Sequence, residues 1–127
     1  MIDRGNAMME QLLYRTDLFD LYGELLTEHQ QKCMELYLFE NFSLAEIGEE
    51  MGISRQAVHD NIHRSQKAME KYEEKLKLVE RYRHERAELA EISGLIRNLR
   101  RPDNEKAVDE VLKRLSSFLE RGRGGLN

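Results

Sequence analysis

The chain has very little cysteine, proline or tryptophan. Its 127 residues include one cysteine, one proline and no tryptophan. Because one thiol cannot form an internal disulfide, we expect Cys33 to lie in a hydrophobic core. No apolar run approaches the roughly 20 residues of a membrane-spanning helix, and no basic segment followed by an apolar stretch opens the chain. These absences predict a cytoplasmic protein without a membrane span.

The composition predicts a small helical protein. Charged residues make up 35% of the chain and hydrophobic residues 40%, which supports a modest core but no large enzyme pocket. The length allows one domain with a helical extension. The sequence also lacks a glycine-rich phosphate-binding loop. We therefore expect an all-α protein that is not an enzyme and binds no cofactor.

Residues 43–65, SLAEIGEEMGISRQAVHDNIHRS, carry the most specific pattern in the chain. Ser43 and Glu46 have the spacing of a capping box, in which each side chain accepts a hydrogen bond from the other residue's backbone amide. Gly52 follows as a residue that tolerates the left-handed conformation of a sharp turn. Ser54 can then cap a second helix. The segment therefore predicts a helix-turn-helix.

Apolar residues at helical spacing predict which sides of these two helices are buried. The inward set comprises Leu44, Ile47 and Met51 in the first helix, Ile53 in the turn, and Val58 and Ile62 in the second helix. The three glutamates of the first helix, Glu46, Glu49 and Glu50, are left on its solvent side. The second helix is left with a polar outer face.

This outer face, here called the reading face, has the chemistry of a DNA-recognition surface. It comprises Ser54, Arg55, Gln56, His59, Asp60, His63, Arg64 and Lys67. Arginine can pair bidentately with guanine and glutamine with adenine, and the first turn of a recognition helix enters the major groove. Arg64 and Lys67 lie farther along and are expected nearer to phosphates. The pattern predicts binding of double-stranded DNA, although an amphipathic helix pair without that function has the same apolar spacing.

From Leu26 to about Lys77 the chain resembles the region-four helix-turn-helix of bacterial sigma factors, and it is more closely similar to the YlxM-like family of helix-turn-helix proteins. The segments that carry the resemblance are LTEHQ at 26–30, SLAEIGEE at 43–50 and SRQAVHDNIHR at 54–64. The resemblance implies a DNA-binding-like fold and a link to the signal recognition particle pathway, which for the family rests on neighbouring genes. The upstream regions with which sigma factors bind core polymerase are missing, so a sigma factor itself is not expected.

Asn61 departs from the usual pattern of such readers. It occupies a position that is often apolar, and Ile62 takes the apolar role one residue later. Sigma-like helices often share this spacing. Base contacts are therefore predicted for the reading face as a whole and not residue by residue.

The distribution of charge limits the predicted affinity for DNA. The whole chain has a formal net charge of −4, whereas a DNA duplex is a polyanion. Residues 1–42 carry a net charge of −5 and residues 43–53 one of −3, but residues 54–67 carry three basic side chains against one acidic, and residues 92–127 carry eight against five. This concentration of positive charge predicts weak, salt-sensitive binding that dimerisation would strengthen.

Two helices are predicted before residue 43. Apolar residues at helical spacing predict the first from Met8 to Leu26. A second capping-box pattern at Thr27 and Gln30 opens the next helix, from His29 to Phe39. This helix is expected to bury Cys33, Leu36 and Tyr37. An aromatic cluster is predicted to form core and not a base-stacking platform, because this half is acidic; it comprises Tyr14, Phe19, Tyr22, Tyr37, Phe39 and Phe42.

The apolar pattern continues past residue 65 without a break signal and predicts a coiled-coil-like seam. The seam comprises Ile62, Ser65, Met69, Tyr72, Leu76 and Val79, and after a charged interruption at 80–88 it resumes at Leu89, Ile92, Ile96 and Leu99. One bent helix, kinked for example at Ser93-Gly94, and two separate helices both fit this pattern. The seam must be covered by the N-terminal helices or by another subunit. We favour a homodimer, whose two recognition helices would meet half-sites about one DNA turn apart, or a multiple of it.

Pro102 is predicted to end this region, because a proline disfavours helical geometry in the residue before it. Asp103 then caps a final helix with an apolar stripe at Val108, Val111, Leu112, Leu115 and Leu119. Residues 121–127, RGRGGLN, are expected to form a mobile tail. The predicted organisation is residues 1–77 as the helix-turn-helix domain and residues 78–127 as a C-terminal helical extension.

Two arrangements of reactive side chains have plainer explanations than a metal site or a catalytic pair. His59 and His63 stand four residues apart, as in zinc proteases, with Asp60 in the place of the general base. No third ligand is evident, so no metal site is expected. Cys33 has His29 one helical turn earlier, but this spacing more often reflects packing than a catalytic pair.

Two functional hypotheses remain. In the first, the chain is a DNA-binding regulator whose reading face recognises an operator. In the second, it is a protein or RNA adaptor that works with components of the signal recognition particle and uses the helix-turn-helix as a scaffold.

Overall fold

A computed structural model describes residues 4–124, and it is all-α as predicted. Six α-helices and one 3-10 helix account for its regular secondary structure. The elements are α1 (Arg4–Tyr22), a 3-10 helix (Gly23–Leu25), α2 (Glu28–Leu38), α3 (Leu44–Met51), α4 (Arg55–Leu76), α5 (Leu78–Arg97) and α6 (Glu105–Gly124). The chain divides after Lys77 into two compact units.

In the first unit, α4 is the central helix and packs against α1, α2 and α3. Its core centres on Cys33, Ile47 and Val58, which are fully buried. The predicted inward residues Leu44, Met51, Ile53 and Ile62 pack against these three side chains, together with Leu36, Tyr37 and Phe42. The apolar periodicity therefore identified the inner sides of both helices correctly.

The two predicted capping boxes are confirmed. At Thr27 the hydroxyl accepts from the Gln30 amide at 3.2 Å, and the Gln30 side chain accepts from the Thr27 amide at 3.1 Å. The pair at Ser43 and Glu46 has the same reciprocal form. These local signals explain why the starts of α2 and α3 were predicted to within a residue.

The bounds of the first helix were wrong. It begins by Arg4 and ends at Tyr22, where the chain tightens into the 3-10 helix instead of continuing to Leu26. Met34, which the periodicity did not single out, is fully buried beside Cys33. In α1, Leu18 and Tyr22 are buried, whereas the apolar residues Met8, Met9, Leu12 and Leu13 are exposed.

Most of the predicted aromatic cluster contributes to the first unit's interior, with one exception. Tyr22 is fully buried, and its hydroxyl donates to a carboxylate oxygen of Glu73 at 2.7 Å. Phe39 is half exposed, contrary to the prediction, because it follows the last residue of α2. It still contacts Phe19, with ring centroids 5.8 Å apart.

The predicted seam is broken between Leu76 and Leu78. Lys77 adopts a left-handed conformation with φ 56° and ends α4. The seam therefore lies on two helices, α4 and α5, and not on one bent helix. Ser65 and Met69 are buried in the first unit, where α4 packs against α1 and α2. This part of the seam is covered within the chain, which removes one of the reasons for expecting a second subunit.

The second unit is a pair of packed helices. α5 runs without interruption through the charged segment 80–88 and through Ser93-Gly94, so no helix end occurs at either place. Arg86 joins the pair, because its Nη1 donates to the Leu119 carbonyl of α6 and to the Tyr82 hydroxyl. Val108 of α6 is buried, whereas Val111 is 43% exposed.

Two predictions at the C-terminal end need correction. The helix α6 begins at Glu105, so Asn104 and not Asp103 precedes it. The Asn104 side chain bonds the preceding loop, accepting from the Arg101 amide at 2.6 Å and donating to the Leu99 carbonyl at 2.9 Å. The backbone stays helical to Gly124, beyond the predicted start of a tail at 121. The rest of the predicted tail, residues 125–127, lies outside the described residues.

Candidate nucleic-acid interface

The turn between α3 and α4 depends on two glycines. Gly52 ends α3 with φ 70°, the left-handed conformation predicted for it. The Gly48 carbonyl accepts hydrogen bonds from the amides of Gly52 and Ile53. Gly48 is buried, and a β-carbon there would lie 2.7 Å from the Ile53 carbonyl oxygen. The close approach of the turn to α3 therefore requires glycine at 48, a role that the sequence pattern did not indicate.

Hydrogen-bonded caps fix where both helices begin. The Ser54 hydroxyl accepts from the Ala57 amide at 3.0 Å, as expected of an N-cap. At the start of α3, the Glu46 carboxylate accepts from the Ser43 amide at 2.9 Å and the Ser43 hydroxyl accepts from the Glu46 amide at 3.1 Å. Hydrogen bonds with the Ser43 backbone and then with its side chain lower the pKa of Glu46.

On the inner side, a polar bridge accompanies the apolar contacts between α4 and α2. Asn61 Nδ2 lies 3.0 Å from His29 Nδ1, and the Ser65 hydroxyl donates to Asn61 Oδ1 at 3.3 Å. Asn61 is half-buried, so an apolar residue at this position would leave its neighbours without these partners. The departure from the usual apolar pattern at 61 thus has a structural explanation.

The eight residues of the reading face are all exposed and lie on the first four turns of α4. Ser54 stands at the helix N-terminus, and the other seven follow on one side of the helix at intervals of one, three and four residues. Val58 and Ile62, between them in sequence, face the core. The fold therefore presents the predicted residues together on one accessible surface.

The positive charges of the reading face are available to a ligand. Among the side chains described, those of residues 5–120, no ion pair involves Arg55, Arg64 or Lys67. Asp60 is the face's one acidic residue, and its Oδ1 accepts from Gln56 Nε2 at 3.1 Å and lies 3.7 Å from His59 Nδ1. On α3, Glu49 and Glu50 are exposed. Acidic groups thus lie on the reading face and on the helix that precedes it, and they would repel phosphates that come near them.

Other kinds of site find little support. Among the described residues, no group of three or more His, Cys, Asp or Glu side chains is arranged to hold a metal ion. Cys33 is buried as predicted, and desolvation raises the pKa of its thiol, which disfavours the nucleophilic thiolate. No helix within residues 4–124 is long and apolar enough to cross a membrane.

Comparison with known proteins gives a consistent family. Residues 9–111 match the family model described as "Putative helix-turn-helix protein, YlxM / p13 like". The UPF0122 protein of Halalkalibacterium halodurans is 41% identical over 113 residues, covering 89% of this chain and 97% of the relative. UPF0122 proteins of Shouchella clausii and Bacillus cereus are each 38% identical over 114 residues, covering 90% of this chain and 95% and 98% of the relatives.

Proposed function

Because the chain belongs to the family of YlxM / p13-like helix-turn-helix proteins, we propose that it binds double-stranded DNA through the reading face and acts as a regulator. The observation that carries the proposal is the exposure of Arg55, Gln56, Arg64 and Lys67 on one side of a capped helix whose opposite side is buried. An exposed helix of this kind fits the major groove, which is about 12 Å wide.

The charges of one reading face predict modest affinity. If Arg55, Arg64 and Lys67 each neutralise one phosphate, the logarithm of the binding constant falls with the logarithm of salt concentration with a slope of about −2.7. This slope corresponds to about a 40-fold loss of affinity between roughly 50 and 200 mM salt. A homodimer would present two reading faces and roughly double the slope, so the salt dependence also reports on assembly.

A double substitution tests the proposal. Arg55→Ala with Gln56→Ala removes the two side chains best placed for base edges, and we expect at least about a tenfold loss of affinity for a selected duplex. Lys71→Ala is the matched control, because it removes one positive charge from an exposed position of α4 outside the reading face. Fluorescence anisotropy at several salt concentrations measures both variants.

The possible results separate cleanly. Loss of binding in the double variant with retention in Lys71→Ala supports the reading face as the DNA interface. Equal affinity of the double variant and the wild type would show that this face does not bind DNA. Circular dichroism of each variant establishes that the helices are retained.

A second candidate function is a protein or RNA adaptor of the signal recognition particle pathway. The observation that favours a protein adaptor over a nucleic-acid binder is the acidic surface of α3, where exposed Glu49 and Glu50 stand in the helix that precedes α4. A helix that crosses a DNA backbone lies close to phosphates, so basic side chains favour this contact and acidic ones oppose it. Under this hypothesis the Arg55→Ala/Gln56→Ala variant still associates with particle components, while the wild type enriches no DNA sequence from a random pool.

A further inference from the structure

Asp60 is the one acidic side chain among residues 54–67, and it stands in the middle of a surface proposed to meet a polyanion. Its carboxylate is exposed, so it is not held there by burial or by a need for core packing. Asp60 instead lies one helical turn after Gln56, on the same side of α4. A charge that opposes phosphate binding at this place needs a compensating role if the face binds DNA.

The hydrogen bonds of Asp60 indicate what that role is. Gln56 Nε2 donates to Asp60 Oδ1 at 3.1 Å. Because a carboxylate only accepts hydrogen bonds, Gln56 must turn its amino group and not its carbonyl oxygen toward Asp60. The Gln56 amide is thereby oriented, with Oε1 and the second Nε2 hydrogen left for a ligand. These are the acceptor and donor with which glutamine pairs bidentately with the N6 and N7 positions of adenine.

The second oxygen of Asp60 has chemistry of its own in a major groove. It can accept from the amino groups of cytosine and adenine, whereas the major-groove edges of guanine and thymine present acceptors at O6, N7 and O4 that repel it. We propose that Asp60 sets the base specificity of the reading face, by orienting Gln56 for adenine and by excluding guanine and thymine from the position that it faces. This inference rests on the proposed binding of DNA.

The same geometry predicts a trade between affinity and discrimination. Removing the carboxylate raises the net charge of residues 54–67 from +2 to +3, since three basic residues then stand without an acidic one. Electrostatic binding to any duplex should therefore strengthen. At the same time, Gln56 loses its fixed orientation and the repulsion of acceptor edges disappears, so the preference for one sequence should weaken.

The chain offers a closely matched control for this test. Gln66 Nε2 donates to Glu70 Oε1 at 3.4 Å, a second glutamine–carboxylate pair with the same four-residue spacing on the same helix. Glu70 lies ten residues beyond Asp60, about 15 Å farther along the helix axis and outside the reading face. Glu70→Gln and Asp60→Asn each remove one negative charge from α4, so an effect of the helix's net charge would be shared by both.

The experiment selects duplexes from a random pool with the wild-type chain, Asp60→Asn, Asp60→Ala and Glu70→Gln, and then measures affinity for the selected and for a scrambled duplex. We expect the wild type and Glu70→Gln to enrich the same sequence. Both Asp60 variants should bind the scrambled duplex more tightly and lose about tenfold in the ratio of selected to scrambled affinity. The side-chain amide resonances of Gln56 should shift in Asp60→Asn and stay unchanged in Glu70→Gln.

The results distinguish an error about the role of Asp60 from an error about DNA binding itself. If the wild type enriches a sequence and the Asp60 variants enrich the same one with equal discrimination, DNA binding stands and the role of Asp60 is refuted. If Glu70→Gln relaxes discrimination as much as Asp60→Asn does, the effect is one of net charge and the role of Asp60 is likewise refuted. If the wild type binds no duplex, both the function and the inference drawn from it are wrong.

Discussion

Replacing Gly48 with alanine should destabilise the helix-turn-helix, although alanine is the better helix former. In an ordinary helix interior the change is worth about 1 kcal/mol in favour of alanine. At Gly48 the new β-carbon would lie 2.7 Å from the Ile53 carbonyl oxygen, which is backbone and not the movable end of a side chain. The Ile53 amide donates to the Gly48 carbonyl at 2.9 Å, so the turn is held against α3 at this very point.

The size of the effect follows from these opposed terms. Overpacking of a close-packed site costs about 1–3 kcal/mol and more where backbone must move. The cost of overpacking exceeds the gain in helix propensity, so we expect Gly48→Ala to lower the free energy of unfolding by about 1–2 kcal/mol. For a unit of this size, this lowers the midpoint of thermal unfolding by about 5–15 °C. Urea denaturation followed by circular dichroism measures the change.

Gly94→Ala is the matched control for this prediction. Gly94 is also helical, but a β-carbon there would meet no atom within 4 Å. The same substitution should therefore stabilise α5 by about 0.5–1 kcal/mol. If Gly48→Ala proved as stable as the wild type, or if Gly94→Ala were equally damaging, the close approach of the turn to α3 would not be the reason for glycine at 48.

Three shorter predictions concern stability and reactivity. Because the pKa of Glu46 is lowered in the folded state, the contribution of its carboxylate to stability is present above the unfolded pKa of about 4.3 and is lost as the pH falls through the folded pKa. The difference in urea midpoint between the wild type and Glu46→Gln should therefore shrink on acidification. A difference that grew would contradict the capping box. Cys33 should react with a thiol reagent slowly in the native protein and rapidly in urea, because it is fully buried and burial raises its pKa; rapid native labelling would place the thiol outside the core. Ile47→Ala should cost about 2–5 kcal/mol by leaving a cavity beside Cys33 and Val58, and a loss well under 1 kcal/mol in urea denaturation would show that this cluster is not the core.

Local signals account for the parts of the fold that the sequence predicted well. The capping residues Thr27, Ser43 and Ser54 act within three residues of themselves, so each helix start can be located from its own segment. The left-handed turn at Gly52 is equally local. The inward residues of α3 and α4 follow from helical spacing alone, and so does the set of residues left on the reading face.

Contacts distant in sequence account for what was missed. The close approach at Gly48 depends on the path of the turn, and a glycine inside a helix carries no mark of such a contact. The bond between Tyr22 and Glu73 joins positions 51 residues apart. Lys77 ends α4 in a conformation for which lysine has no preference, so the apolar spacing that continues to Val79 concealed the break.

The reading face was located by pattern, but its internal hydrogen bonds were not. The bond from Gln56 to Asp60 depends on side-chain rotamers that spacing does not fix, although a separation of four residues allows it. The bridge from Asn61 to His29 requires the packing of α2 on α4. A polar residue at an expected apolar position, such as Asn61, is the signal that points to a bridge of this kind.

A nuclear magnetic resonance titration of the wild-type chain with duplex DNA selected from a random pool tests most directly whether the reading face binds DNA. We expect the backbone and side-chain signals of residues 54–67 to shift most, with small changes in α1 and α2, and the shifts to diminish as salt is raised. Shifts confined to other helices, or no shifts at duplex concentrations well above the protein concentration, would contradict the assignment of the α4 surface as a DNA interface.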